Sequence, residues 1–177
     1  MIDRMNDRRN YMKHESRLIR IALISCVVVA MAFTMFGCSS GQGEEQSEAA
    51  NNRAYMANLN RQASDLQDVM DDFEKAAAEN DVVTMQAKLK DMDQIIDTVK
   101  DTTATERLSS VKDGYVDALT TLREAMGSYV SLYNEIKSGS IDSKQFDTKL
   151  AEIQSVYDSG IEKMKNADQI VKDIANE

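Results

Sequence analysis

The stretch that decides the fold is residues 82–100, VVTMQAKLKDMDQIIDTVK. This stretch has the period of one face of an α-helix, because its apolar side chains recur at alternating steps of three and four residues. So strict a seam is typical of helices that pack nearly parallel in a bundle. Asp81, directly before the stretch, is a good N-cap residue. We therefore predict an amphipathic helix over residues 82–101 whose apolar face is Val82, Met85, Leu89, Met92, Ile96 and Val99.

Three further segments carry the same helical period. Residues 51–78 come before this helix, across a short turn at residues 79–81, and residues 104–138 and 143–176 follow it. The chain has no proline and no strand-like alternation of apolar and polar residues. Because the connections are short, successive helices should run in opposite directions. We predict an all-α fold, an elongated antiparallel up-down-up-down four-helix bundle.

Local signals mark the ends of the last two helices. Thr103 and Glu106 have the spacing of a capping box at the start of the third helix. Gly139 follows a basic last turn and is placed to cap that helix at its C-terminus. Asp142 and Gln145 have the spacing of a second capping box. We therefore expect turns before residue 104 and at residue 139.

The N-terminal part carries a different pattern. Residues 1–20 hold six cations, and a charge-free apolar run from Ile21 to Phe36 follows them. A cationic leader stays on the cytoplasmic side of a membrane, so the chain after the apolar run should be exported. The run suits the core of a signal peptide and is marginal for a membrane span, which needs about 20 residues. We predict that residues 1–37 are a signal peptide.

The end of this apolar run, Met35-Phe36-Gly37-Cys38, resembles the lipobox of bacterial prolipoproteins. In that family the cysteine receives a diacylglycerol, and a type II signal peptidase cuts before it. The resemblance implies lipidation of Cys38 and a location at the extracytoplasmic face of the cell membrane. Residues 38–50 would then be the lipidated cysteine with a flexible tether, and residues 51–177 the helical domain. Two alternatives stay open, processing at Cys26 and an uncleaved membrane span.

Charge and composition exclude several classes of function. The residues after position 37 carry 15 cations against 27 anions, a net charge of −12, which repels nucleic acid. The single histidine, His14, lies in the leader, and no cysteine follows Cys38. The acidic residues have helical spacings that do not gather them into a metal site. We predict no enzymatic activity, no cofactor, no metal and no nucleic-acid partner.

Unequal helix lengths predict a protruding end. At about 1.5 Å per residue, the second helix is about 28 Å long, and the third and fourth are about 50 Å each. The hairpin of the third and fourth helices should therefore extend roughly 20 Å beyond the rest, away from the membrane. Its aromatic residues either close the hairpin on each other or contact a partner. The candidate contact residues are Tyr129, Leu132, Tyr133, Ile136, Phe146 and Leu150.

These patterns predict a non-enzymatic, membrane-anchored lipoprotein that acts as a helical binding module at the cell envelope. Its partner would be an envelope protein or peptidoglycan. One alternative is a receptor domain that senses a small ligand in a pocket between helices. The apolar stripes contain almost no polar residue to orient a ligand, which counts against this alternative, whereas a polar-lined cavity would favour it. Another alternative is the same bundle on an uncleaved transmembrane anchor.

Overall fold

The computed structural model describes residues 43–176, and these residues are almost entirely helical. No β-strand occurs within that range. The prediction of an all-α fold with four helices packing together is confirmed. The predicted signal peptide and the lipidation site at Cys38 lie outside the described residues. The four helices are α1 (Gly43–Glu79), α2 (Val82–Asp101), α3 (Ser109–Ser138) and α4 (Ser143–Ala175), and a short 3-10 helix (Glu106–Leu108) precedes α3.

Three of the predicted helix caps are present. The Asp81 side chain accepts a hydrogen bond of 3.1 Å from the backbone N–H of Thr84, which caps α2. Gly139 ends α3 with a φ of 72°, a left-handed conformation that costs glycine no steric penalty. Asp142 and Gln145 form the predicted capping box at the start of α4, with reciprocal hydrogen bonds of 2.8 Å and 3.1 Å.

The connection between α2 and α3 differs from the prediction. The third helix was expected from residue 104, but α3 begins at Ser109. Thr102 and Thr105 have extended backbone conformations, with ψ values of 123° and 164°. Threonine is β-branched and loses side-chain freedom in a helix, so a threonine-rich run favours this extended connection. The two helices are therefore separate.

The predicted capping box of Thr103 and Glu106 is wrong. Thr105 occupies the N-cap position of the 3-10 helix instead, and its side chain makes no capping hydrogen bond. The Thr105 hydroxyl donates to the Asn52 side chain of α1. A tertiary hydrogen bond between two elements thus takes the place of the local cap.

Helix α1 begins earlier than predicted. It starts at Gly43, so residues 43–50, which we assigned to the flexible tether, are helical. Residues 47–51 are exposed, and this part of α1 therefore has no core contact to hold it. The segment is rich in glutamate, glutamine and alanine, which are good helix formers, and it contains no proline. Local propensity alone accounts for the extension.

The hydrophobic core joins buried residues of all four helices. Met85 and Met92 of α2 are fully buried, as expected for residues on its seam. The apolar face of α4 is less deeply buried, because Ile153 and Ile161 are only half-buried. The apolar face of α4 is therefore not completely covered by its neighbours.

The helices do not contact each other equally. Helices α3 and α4 form the most extensive pair, and α2 contacts both α1 and α3. The backbones of α1 and α4 approach each other at isolated points at most. A gap therefore separates the first helix from the last. None of the helices in residues 43–176 has the length and apolar character needed to cross a bilayer.

Candidate functional site

The distal end of α3 and α4 was the predicted contact surface, and α1 and α2 reach further along it than expected. The Tyr133 hydroxyl donates to the Asn80 carbonyl oxygen over 3.3 Å. The Tyr129 ring meets the Phe73 ring edge to face, with centroids 6.0 Å apart. From Tyr133 to Gly139 a helix advances only about 9 Å. The predicted overhang of roughly 20 Å is wrong, because α3 begins later than expected and α1 and α2 cover its distal half.

The six predicted contact residues differ in exposure. Leu132 is 2% exposed and Phe146 is 5% exposed, so both belong to the buried interior. The other four are half-buried. Val83, at the start of α2, is the one large apolar side chain among the described residues that is strongly exposed, at 77%. The distal end therefore offers a small apolar patch to a partner.

A groove along the gap between α1 and α4 is a second candidate site. It encloses a cavity of about 390 Å³. Both walls carry apolar side chains at helical spacing, and the floor is formed by α2 and α3. The wall residues are Leu59, Ala63, Leu66 and Met70 from α1 and Tyr157, Ile161 and Met164 from α4, and the floor residues are Val99, Tyr115, Leu119 and Leu122.

The polar side chains of the groove come mainly from one helix. The amide and carboxylate groups that line the groove, and the serine hydroxyl, are on α1. The two tyrosines that line it are on α3 and α4. Asp71 is the one charged residue among the described residues that line it. An apolar floor with a few polar groups at one edge is the usual composition of a ligand site. The polar residues from α1 are Asn60, Gln62, Ser64, Gln67 and Asp71.

The sequence prediction missed this groove. The predicted four-helix bundle would pack the apolar faces of α1 and α4 in its core, yet Leu66, Met70 and Ile161 are only half-buried. One signal was present in the sequence: Ala63 lies at helical spacing between Leu59 and Leu66, where a large side chain would fill the space. Spacing alone does not reveal how far two helices stand apart.

A polar cluster lies in the core at the end of the groove nearest to Leu59. The Tyr115 hydroxyl donates to the Asp168 carboxylate. The Tyr55 hydroxyl and the Asn58 side-chain oxygen are buried and have no hydrogen-bond partner among the described residues. Burial, with a smaller contribution from the charge of Asp113, raises the pKa of Tyr55 to about 12. The Tyr55 phenol is therefore protonated at neutral pH.

Tyr115 lines the groove floor, and its acid–base state is also fixed. Burial raises the pKa of the Tyr115 phenol, and the hydrogen bond to Asp168 raises it further. The hydroxyl donates its hydrogen bond to the Asp168 carboxylate, so it is not available to donate to a ligand. At neutral pH this residue presents its ring to the groove and keeps its proton.

Ion pairs lie on the other helix seams. Lys88 of α2 bridges Asp72 of α1 and Asp91 at 2.9 Å and 3.0 Å, and hydrogen bonds to these carboxylates raise the pKa of Lys88. Arg123 of α3 binds both carboxylate oxygens of Asp93 at 2.8 Å and 3.0 Å, which lowers the pKa of Asp93. These pairs link α1 to α2 and α2 to α3.

The acidic residues do not gather into a cation site in the described part of the chain. Asp65, Asp68 and Asp91 line a shallow depression between α1 and α2. Asp65 and Asp68 are exposed to solvent. Residues 43–176 contain no group of three or more histidine, cysteine, aspartate or glutamate side chains placed to hold a metal ion.

Comparisons with known proteins assign no family. No protein-family model matches the chain, and neither a curated protein nor a solved structure matches it. Function is therefore inferred from the groove between α1 and α4 and from the distal patch.

Proposed function

We propose that this chain is a non-enzymatic lipoprotein, anchored by a lipid on Cys38, whose helical domain is a binding module at the cell envelope. The groove between α1 and α4 is its main binding site. The observation that carries this proposal is the cavity of about 390 Å³ with its apolar floor and polar edge. The composition of the N-terminal segment supports the anchor and the extracytoplasmic location.

The helices are inferred to follow an antiparallel up-down-up-down order. In the α3–α4 pair, the residue numbers of the contacting residues decrease along one helix as they increase along the other. The contacts of Asp93 with Arg123 and of Thr102 with Lys112 follow the same order for α2 and α3. Contacts between α1 and α3 rise together, which supports a common direction for these two helices. The α3–α4 contacts are Gly114 with Ala167, Leu122 with Gly160 and Glu135 with Lys149. The contacts along α1 and α3 are Phe73 with Tyr129, Asn52 with Thr105 in the connection before α3, and Asn80 in the turn after α1 with Tyr133.

The distal patch is a second contact surface in this proposal. Tyr129, Tyr133, Ile136 and Leu150 keep part of their surface accessible. Val83, three residues after the Asn80 that contacts Tyr133, adds an exposed side chain at this end. An envelope protein or peptidoglycan is the partner that the predicted location favours. The patch is small, so we assign it a supporting contact rather than the main one.

A small-ligand-sensing domain is the second candidate function. The volume of the groove favours it, because ligand pockets usually enclose about 300–1,000 Å³. The polar side chains along α1 supply the orienting groups that the sequence pattern did not predict. The same bundle on an uncleaved transmembrane anchor remains the alternative for the N-terminal segment.

The anchor is tested by the intact mass of the protein extracted from the membranes of its native host. We expect a species that begins at Cys38 and carries at least a diacylglycerol. A full-length, unmodified mass would contradict the lipid anchor and support the transmembrane alternative.

The binding site is tested by photocrosslinking in the native host. A photoreactive amino acid at Gln67, on the edge of the groove, should give a discrete adduct with an envelope component. The control carries the same amino acid at Lys90, an exposed position on α2 outside the groove. Adducts of equal yield at both positions, or none at Gln67, would contradict the groove as binding site.

A further inference from the structure

The first turns of α1 lie beyond the end of α2. Lys88 of α2 pairs with Asp72 of α1 at 2.9 Å. From this pair α2 continues for thirteen residues to its end at Asp101, and thirteen residues back along α1 is Leu59. In the inferred antiparallel order, α2 therefore ends about level with Leu59, because both helices have the same rise per residue. Residues 52–58 of α1, which we call the proximal strap, continue past the end of α2.

A side-chain hydrogen bond ties the start of the proximal strap to the connection between α2 and α3. The Thr105 hydroxyl donates to the Asn52 side chain. The connection is itself fixed, because Leu108 is buried in the core and Arg107 donates to the Ile174 carbonyl oxygen of α4 at 2.8 Å. Thr105 therefore holds the strap to a part of the fold that is joined to the core and to α4.

The rest of the proximal strap makes contacts that oppose each other in free energy. The Tyr55 ring is buried, which favours the closed position. The Tyr55 hydroxyl and the Asn58 side-chain oxygen are buried as well, and within residues 43–176 neither has a hydrogen-bond partner, which costs free energy. Opening hydrates both atoms. The closed strap is therefore held less firmly than an apolar contact of the same size.

The composition of α1 indicates how the proximal strap opens. Sharp helix kinks occur mainly at proline and glycine, and residues 44–79 contain neither. Residues 47–51, directly before the strap, are exposed. Helix ends with few buried contacts open at low free energy. We therefore expect α1 to open by unwinding from its N-terminal end and not by bending as a rigid helix.

We propose that the proximal strap is a gate at one end of the groove between α1 and α4, latched by Thr105 and opened by unwinding of α1 as far as Leu59. The rest of the bundle stays folded. Leu59 marks this end of the groove lining on α1, and Tyr55 lies one helical turn before it on the same face. Opening removes the Tyr55 ring and lengthens the groove past Leu59.

This inference rests on the proposed function in one respect, because the groove is the binding site to which the gate would give access. The movement itself needs no ligand. It can therefore be measured separately from binding.

Amide hydrogen exchange of the full chain in phosphatidylcholine nanodiscs tests the latch. Thr105→Val removes the hydroxyl that binds Asn52 and keeps the shape of the side chain. We expect about threefold to tenfold lower protection in peptides that cover residues 52–59, with unchanged protection in α3 and α4. Thr103→Val, at an exposed position of the same connection, is the matched control and should leave the protection of the strap unchanged.

Tyr55→Phe should act in the opposite direction. It keeps the buried ring and removes the hydroxyl that has no partner among the described residues, so the closed strap becomes more favourable. Protection of residues 52–59 should rise about twofold to fivefold. This variant tests the inference even if Thr105→Val fails to fold, and no rise in protection would overturn it.

Equal protection of the proximal strap in Thr105→Val and Thr103→Val would also overturn the inference. A loss in Thr105→Val that α3 and α4 share equally would do the same, because it would reflect global unfolding. If the exchange results hold while a photoreactive group at Gln67 gives no adduct, the movement is supported and the groove is excluded as the binding site. If Gln67 gives its adduct while the variants do not differ, the gate is excluded and the binding site is retained.

Discussion

Gly160 shows how one missing side chain sets the distance between two helices. A Cβ atom at this position would lie 2.8 Å from two side-chain carbons of Leu122 and 3.1 Å from its backbone nitrogen. The backbone nitrogen cannot move without shifting α3. At Gly127 the nearest atom is the guanidinium nitrogen of Arg123, at 3.2 Å, which is the far end of a long side chain. The two glycines therefore differ in what they permit.

Gly160→Ala should lower the free energy of unfolding by about 1–2 kcal/mol, because the overpacking outweighs the better helix propensity of alanine. Gly127→Ala is the control and should be neutral or stabilising by up to about 1 kcal/mol. Urea unfolding followed by circular dichroism measures both. Equal effects of the two substitutions would contradict the close approach of α3 and α4 at Gly160.

Two of the buried tyrosines, Tyr55 and Tyr115, predict opposite effects of removing a hydroxyl. Tyr55→Phe removes a buried hydroxyl that has no hydrogen-bond partner in the part of the chain that the structure describes, and it should leave stability unchanged or raise it by about 1 kcal/mol. Tyr115→Phe removes the donor to Asp168 and should lower stability by about 1 kcal/mol. Thermal or urea unfolding at pH 7 compares the variants. A loss in Tyr55→Phe as large as that in Tyr115→Phe would show that the Tyr55 hydroxyl has a partner.

The pKa of Tyr55 also predicts a dependence on alkaline pH. The folded-state pKa of Tyr55, about 12, is above the ordinary tyrosine pKa of 10.0, so the folded chain keeps this proton when the unfolded chain loses it. The associated stability is present below pH 10 and is lost as the pH rises towards 12. The loss should be smaller in Tyr55→Phe, which has no proton to release. Parallel stability profiles for both proteins between pH 9 and about 11.5 would contradict the shift.

At the scale of the element, the caps of α2, α3 and α4 are local and could be predicted from a few residues. The Asp142 capping box tests this directly. Asp142→Ala should lower the free energy of unfolding by about 1 kcal/mol, because the backbone N–H of Gln145 loses its acceptor. Ser143→Ala, one position later and exposed, is the control and should change stability by less than about 0.5 kcal/mol. Equal losses would contradict the assignment of the cap.

Elements could be predicted where the signal was local and could not where it was tertiary. The bounds of α2 were predicted as observed, because its seam and its N-cap lie within a single stretch. The box at Thr103 failed because Thr105 hydrogen-bonds to Asn52, a residue on another helix. The groove was missed for the same kind of reason, since the separation of α1 from α4 depends on how α2 and α3 place them.

At the scale of the whole molecule, stability should be unevenly distributed. Helices α3 and α4 share the most extensive contact, whereas α1 has an extensive contact only with α2. Regions with few buried contacts open at lower free energy than the rest of a domain. The part of α1 before Asn52 is the extreme case, because residues 47–51 are exposed.

Amide hydrogen exchange should therefore be fastest in residues 47–51, intermediate in the rest of α1 and slowest in the facing parts of α3 and α4. The expected difference between the first and last groups is at least about 100-fold in protection factor, because exchange from the core requires larger openings. Peptide-level mass spectrometry measures it. Protection of residues 47–51 equal to that of α3 would show that a partner or a second chain covers them.

The early start of α1 affects how the domain resists release by proteases. Proteases cut exposed loops and extended segments far more readily than helices. Because the chain is helical from Gly43, cleavage sites between the proposed anchor and the bundle are confined to a few residues. A protease could also cut the extended connection at residues 102–105. After such a cut, the α1–α2 part and the α3–α4 part would still be held together by their common core. If the chain is anchored at Cys38 as proposed, nicking at that connection would therefore not release the bundle from its anchor.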